Sequence, residues 1–215
     1  MSFRRCLVTC LLAGAVFAGR QAVAQTASEP PLGDVSRSGP VVRLRAGPTY
    51  LSTTIGYGES ADRSYAGPGF TFDAEIGGWR SSHVSICLAL SGAVALAASA
   101  RDPGTISNGG ASADLSTAAI GPSIGYTFGA SEVYLGATPS LSFVRVSSPD
   151  HFFLAKYWGS NYGGVGIAFL VSKEWRISEG WQIGLAGEAR YAAVSGVGDV
   201  STMSAYSLLF SAAFD

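Results

Sequence analysis

The sequence has 215 residues; 13% are charged and 28 are glycine, against roughly 25% charged and about 15 glycines for an average soluble domain of that size. Mean hydropathy is +0.28, yet beyond the extreme N-terminus there is no run of 18 or more apolar residues that could form a membrane helix. These figures exclude a charge-rich disordered chain and a helical membrane bundle and argue against an ordinary cytosolic enzyme. The 14 basic against 15 acidic residues give nucleic acid no electrostatic footing.

Arg4 and Arg5 precede an apolar stretch from Cys6 to Phe17, and Ala22-Val23-Ala24 stands before Gln25 as an A-x-A cleavage signal. This is the pattern of a secretory signal peptide, residues 1–24, cleaved after Ala24. Thr9-Cys10 lies inside the apolar core and not after it, which excludes a lipoprotein anchor. Cleavage removes Arg4, Arg5 and Arg20 from the 14 basic residues and none of the 15 acids, leaving 11 against 15. Of three cysteines only Cys87 remains, so neither an internal disulfide nor a cysteine-based metal site is expected, and Cys87 is read as buried packing. Residues 25–40 are polar, contain proline and lack periodicity, which predicts a flexible periplasmic lead-in.

From Val41 onward apolar residues recur at every second position, the signature of strands. The first strand, 41–54, sets Val42, Leu44, Pro48 and Tyr50 against Arg43, Arg45, Gly47 and Thr49. The second, 66–78, sets Phe70, Phe72 and Ile76 against Thr71, Asp73 and Glu75. The stretch from Val84 to Leu96 is alanine-rich and apolar enough to suggest a helix. By parity, however, Val84, Ile86, Leu88, Leu90 and Val94 oppose Ser85, Cys87, Ala89, Ser91 and Ala93, a period of two and not 3.6. Five further segments alternate in the same way, at 113–128, 132–146, 162–175, 181–194 and 203–214.

Short turns at 78–82, 129–131 and 176–180 alternate with longer Gly, Ser and Asp-rich connections at 55–65, 98–112, 147–161 and 195–202. Eight strands so connected leave both ends on the short-turn side. The predicted fold is all-β, an eight-stranded antiparallel up-and-down transmembrane β-barrel over 41–215 with surface loops on the far side. A soluble barrel would show the same alternation inside out. The small face, however, is Gly, Ala and Ser with few long charges, which suits the narrow interior of an eight-stranded barrel better than a water-facing wall. Trp79, Phe128, Trp175, Trp181 and Phe214 flank the short-turn end and are read as an interfacial aromatic girdle, with Tyr50, Phe143 and Tyr191 toward the opposite interface.

The inward parity then carries ions: Arg43 and Arg45 on the first strand, Asp73 and Glu75 on the second, Glu188 and Arg190 on the seventh. A hairpin centred near residue 60 sets Arg45 opposite Glu75 and Gly47 opposite Asp73. Such charges must pair in a narrow lumen or cost several kcal/mol each, and they are read as a salt-bridged plug.

The segments Ala119-Ile120-Gly121-Pro122-Ser123-Ile124-Gly125-Tyr126, Tyr162-Gly163-Gly164-Val165-Gly166-Ile167 and Lys173-Glu174-Trp175-Arg176-Ile177-Ser178-Glu179-Gly180-Trp181-Gln182-Ile183-Gly184 resemble the small OmpA/OmpX type of outer-membrane barrel. The resemblance covers about residues 41–214 as a pattern. It implies residence in the outer membrane of a Gram-negative cell, contact with outer-membrane lipid and lipopolysaccharide, and a C-terminal aromatic read by the barrel-assembly machinery. Here Phe214 is penultimate, before Asp215. Barrels of this type serve as anchors, adhesins and surface-resistance proteins, so the fold does not assign a role.

His83 and Ser85 form an H-x-S pair like that of lipid A deacylases. Both fall on the lumen parity at the wrong end for outer-leaflet lipid, and no third group stands ready to orient a base. No cofactor, metal or catalytic set is expected. The loop at 147–161 is unusual for Phe152, Phe153, Tyr157 and Trp158, a candidate binding patch. The sequence therefore predicts a monomeric, non-catalytic barrel with a structural or surface-interaction role through its loops. A narrow channel for small hydrophobic solutes is the alternative, and a lipid A-modifying enzyme comes third.

Overall fold

The computed structural model of the protein describes residues 38–57, 60–101, 112–128, 132–147, 160–196 and 200–214. The signal peptide, all but the last residues of the lead-in and the aromatic loop residues Phe152, Phe153, Tyr157 and Trp158 lie outside them.

Alternating apolar residues form eight strands: β1 (Pro40–Tyr57), β2 (Ser60–Trp79), β3 (Val84–Arg101), β4 (Ser112–Phe128), β5 (Val133–Ser147), β6 (Ser160–Ser178), β7 (Trp181–Ser195) and β8 (Val200–Phe214). Each pairs antiparallel with the next, and β8 returns to β1, so the sheet closes into an up-and-down barrel without an edge. Closure removes the row of unpaired amides that an open sheet would present.

The strands outlast their hydrophobic alternation. β2 begins at Ser60 and β3 continues to Arg101, so residues 60–65 and 98–101 of the expected loops at 55–65 and 98–112 are strand. β6 likewise runs to Ser178, into the expected turn at 176–180. Backbone pairing continues beyond the apolar belt, where side-chain polarity gives no period to read. The β1–β2 hairpin is also centred one residue earlier than expected. Arg45 stands opposite Asp73, Arg43 opposite Glu75 and Gly47 opposite Thr71, two residues from the expected register. Parity survives because the shift is even. β3 carries a bulge between Ala95 and Ala98, with Ala97 at φ 56°, after which the facing side changes.

Exposure alternates residue by residue and is the inverse of a soluble barrel. Phe70, Leu88, Ile124, Leu141, Phe169, Ile183 and Phe210 face outward, while Arg43, Asp73, Glu75, Ser85, Gln182 and Arg190 are buried inside. An apolar surface wrapped around every strand is the pattern of a transmembrane barrel, solvated by lipid and not by water.

The interior is layered. At the short-turn end Val41, Trp79 and Cys87 pack together. Above them Tyr134, Leu170, Ala186 and Leu209 form a second group at the level of the interior ions. At the long-loop end Leu51, Ile55, Leu115, Val144, Val194 and Met203 join smaller residues in an apolar plug. The expectation of a lumen lined by small and charged residues is therefore corrected for its outer third. Ile55 falls in an expected loop, but Leu51, Leu115, Val144, Val194 and Met203 lie within the expected strands, near their long-loop ends and on the inward parity.

Candidate functional site

The interior ions occupy the middle of the barrel, and each is held by strand parity. Arg43 and Arg45 project from β1, Asp73 and Glu75 from β2, Glu188 and Arg190 from β7, all nine-tenths or more buried. Arg45 Nη2 donates to Glu75 Oε2 at 3.0 Å, and Arg43 Nη1 lies 3.7 Å from the same oxygen. The expected Arg45–Glu75 pair thus forms, as a diagonal contact and not a directly opposed one. Ser123 Oγ on β4 donates to the other Glu75 oxygen at 3.0 Å. Arg190 Nη2 donates to Glu188 Oε1 at 2.7 Å along its own strand and to Asp73 Oδ1 at 2.9 Å on β2. Because β8 and β1 separate β7 from β2 in the sheet, the second bond crosses the lumen.

Two members of the network were not among the expected site residues. Glu174 on β6 is buried and lies 3.6 Å from Arg43 Nε, and it accepts from Ser172 and Ser211 at 3.5 and 3.4 Å. Its parity with Ala168 and Ser172 is inward; reading 176–180 as a turn ended the strand just beyond it. Tyr134 lies beneath the guanidinium of Arg43, 4.2 Å from ring centroid to carbon, with Arg45 at 5.7 Å. The cation–π contacts hold both arginines against the wall. Gly125 makes the ring's position possible, since a Cβ there would occupy the Tyr134 ring.

Trp79 corrects the expected girdle. It falls on the inward parity of β2, is 9% exposed, and its ring lies 5.4 Å from the Arg43 guanidinium. The other four members are outside: Trp175, Trp181, Phe128 and Phe214 are exposed at the short-turn end, with Trp181 and Phe214 edge to face at 5.4 Å. Position beside a turn did not reveal which way Trp79 faces; parity with Asp73 and Glu75 did.

His83 and Ser85 do not converge. His83 lies in the turn, stacks at 5.8 Å on the outward-facing Tyr126 and contacts Ser82 Oγ through Nδ1 at 2.8 Å. Ser85 is buried inside. The expectation that both lie on the lumen side is corrected for the histidine, and these two residues form no serine–histidine pair. Cys87 is buried, as expected.

Beside the interior ions lies a small cavity of about 20 Å³, room for about one water molecule. One wall is ionic, with Arg45, Asp73, Glu75, Glu188 and Arg190; the opposite wall consists of small or hydroxyl side chains such as Ala119, Thr138 and Ser140. Three arginines (Arg43, Arg45, Arg190) meet four carboxylates (Asp73, Glu75, Glu174, Glu188) among the described buried residues.

No protein-family model and no curated protein matches the sequence. Among solved structures, Neisserial surface protein A is 16% identical with a TM-score of 0.49, over 82% of this chain and 98% of that one. The outer membrane protein OprG from Pseudomonas aeruginosa is 11% identical with a TM-score of 0.49, over 84% and 98%. The outer membrane protein AlkL, determined in lipid bilayers, is 17% identical with a TM-score of 0.48, over 88% and 96%. The barrel assignment rests on the closed ladder and the inverted exposure pattern.

Proposed function

We propose that the protein is an integral outer-membrane β-barrel, exported by its signal peptide, with a structural or surface-interaction role carried by its long loops and no catalytic function. The observation that carries this reading is the inversion: a continuous apolar exterior around a lumen closed by ions and side chains. A water-filled pore needs a polar passage from end to end, whereas here an apolar plug stands above the ions and Trp79, Val41 and Cys87 stand below. That packing favours a sealed barrel over a conducting one. The partners assigned are outer-membrane lipid and lipopolysaccharide around the belt, the barrel-assembly machinery at β8 and whatever the aromatic residues of 149–159 engage.

The membrane reading is tested by gel mobility of the detergent-purified protein with and without boiling, the unboiled folded form being expected to run ahead. Solubility without detergent and unchanged mobility would refute it. The loop assignment is tested by adhesion of cells displaying the protein to immobilised surface ligands, with residues 149–159 intact or replaced by a Gly/Ser linker. Equal adhesion by both forms would remove the aromatic patch from the function.

A further inference from the structure

The interior acids are not matched to bases one to one. Arg43 stands 3.6 Å from Glu174 and Arg45 stands 3.0 Å from Glu75, which leaves Arg190 to face two carboxyl groups. A single nitrogen, Arg190 Nη2, donates to Asp73 Oδ1 at 2.9 Å and to Glu188 Oε1 at 2.7 Å. Its two hydrogens are thereby used, one for each acid. The two carboxyl groups are drawn together by this shared donor, and Glu188 comes within hydrogen-bonding reach of the Asp73 carboxyl. An ionised carboxylate only accepts. Two of them in contact repel, and a hydrogen bond between them exists only where one carries hydrogen.

The surroundings supply no second counter-ion. Asp73 Oδ2 is buried, and no N–H or hydroxyl group of the described residues donates to it. β2 presents Glu75, a further acid, which Arg45 and Arg43 of β1 already engage. β8 sets Ser207 opposite Glu188, and that hydroxyl donates to Thr49. Around the cavity β3, β4, β5 and β6 contribute small, hydroxyl or aliphatic side chains, such as Ser91, Ala119, Ser140 and Leu170. Among the described residues Asp73 and Glu188 form ion pairs with Arg190 alone. The cavity that both acids border has room for about one water, far short of the hydration that two adjacent like charges require.

We propose that Asp73 and Glu188 form a buried proton-binding site, in which the two carboxyl groups hold one proton between them and Arg190 balances the single charge that remains. The O–H of one acid donates to the other, which turns a repulsive contact into a hydrogen bond. Two carboxyl groups confined to one dry site do not both ionise. With the proton in place, three arginines face three carboxylates and every charge of the network is compensated. The site belongs to the barrel interior and is independent of what the loops engage.

The experiment is infrared spectroscopy of the folded protein in liposomes at neutral pH, where exposed carboxyl groups are ionised. The parent is expected to show a carboxylic-acid C=O band. Glu188→Gln and Asp73→Asn are each expected to lose it, because either amide leaves the remaining acid alone with Arg190. Glu179→Gln, in an exposed turn, is expected to retain it. Urea unfolding over the neutral pH range gives an independent count of the proton. The unfolded chain holds none on these carboxyls above about pH 5, so folding takes one up. The folding equilibrium of the parent is therefore expected to fall, relative to that of Glu188→Gln, by about tenfold for each unit of rising pH. Asp73→Asn serves in that comparison if Glu188→Gln does not fold. No acid band in the parent, a band that survives in either amide variant, or equal pH slopes for parent and variant would each overturn the shared proton.

Discussion

Glu75 is the point at which the interior network can be broken with a calculable result. Its carboxylate accepts from Arg45 at 3.0 Å and from Ser123 at 3.0 Å, and it stands 3.7 Å from Arg43. Arg43 retains Glu174 at 3.6 Å when Glu75 is removed, but Arg45 has no other carboxylate among its ion pairs. Glu75→Ala therefore leaves one buried guanidinium uncompensated, a defect worth about 3–5 kcal/mol. Arg45 borders the cavity, where water can hydrate it, so the expected loss lies at the lower end, about 3 kcal/mol, or more than a hundredfold in the folding equilibrium. The assay is urea unfolding in liposomes, followed by tryptophan fluorescence and by the heat-modified gel shift. Arg45→Met in the Glu75→Ala background removes the orphaned charge and is expected to restore at least half the loss, the coupling expected of residues in one network. Arg80→Ala, in an exposed turn, is the control and is expected to lie within about 0.5 kcal/mol of the parent. A Glu75→Ala protein within about 1 kcal/mol of the parent, or a double variant whose loss is the sum of the two single losses, would refute the plug.

The orientation of the tryptophans is testable with brominated lipid: in single-tryptophan variants Trp175 and Trp181 are expected to be quenched and Trp79 spared, and equal quenching of all three would contradict the buried placement. Trp79→Ala is expected to destabilise the barrel by about 3–5 kcal/mol, as for a large core residue, measured by the same urea unfolding. Gly125→Ala forces a methyl against the Tyr134 ring and is expected to cost about 1–3 kcal/mol, as overpacking does; Tyr134→Ala in the same chain relieves it, and the absence of that relief would show the clash is not the cause. Leu208→Arg, on the outer face of β8, is expected to cost about 2–4 kcal/mol near the bilayer midplane; a neutral outcome would mean that water and not lipid covers the belt.

The register and the lumen show where reading from the residues reached its limit. The outward placement of Phe70, Phe72, Ile76, Leu88 and Phe210 and the inward placement of Arg43, Arg45, Asp73, Glu75, Glu188 and Arg190 were both legible. A strand's side chains alternate with a period of two wherever its ends fall, so a two-residue difference in the hairpin register leaves Arg43, Arg45, Asp73 and Glu75 on the expected inward face. The same parity contains the answer for Trp79 and Glu174. For Trp79 the expected turn at 78–82 obscured it, since β2 in fact runs to that residue; Glu174 stands inside the expected strand 162–175, where parity alone turns it inward.

Strand number, up-and-down order, the side faced by residues of the regular alternation and the inversion that calls for lipid are thus properties of the sequence itself, since each depends only on local period and polarity, whereas the bulge at Ala95–Ala98 is not. Which ions meet is a property of the closed barrel. Arg190 reaches Asp73 across two intervening strands, Arg43 is shared between carboxylates on β2 and β6, and Tyr134 occupies the space left by Gly125. The meeting of Asp73 with Glu188 on one guanidinium belongs to the same class. Both acids are visible in the sequence, but only the closure of all eight strands around a shared interior sets one against the other.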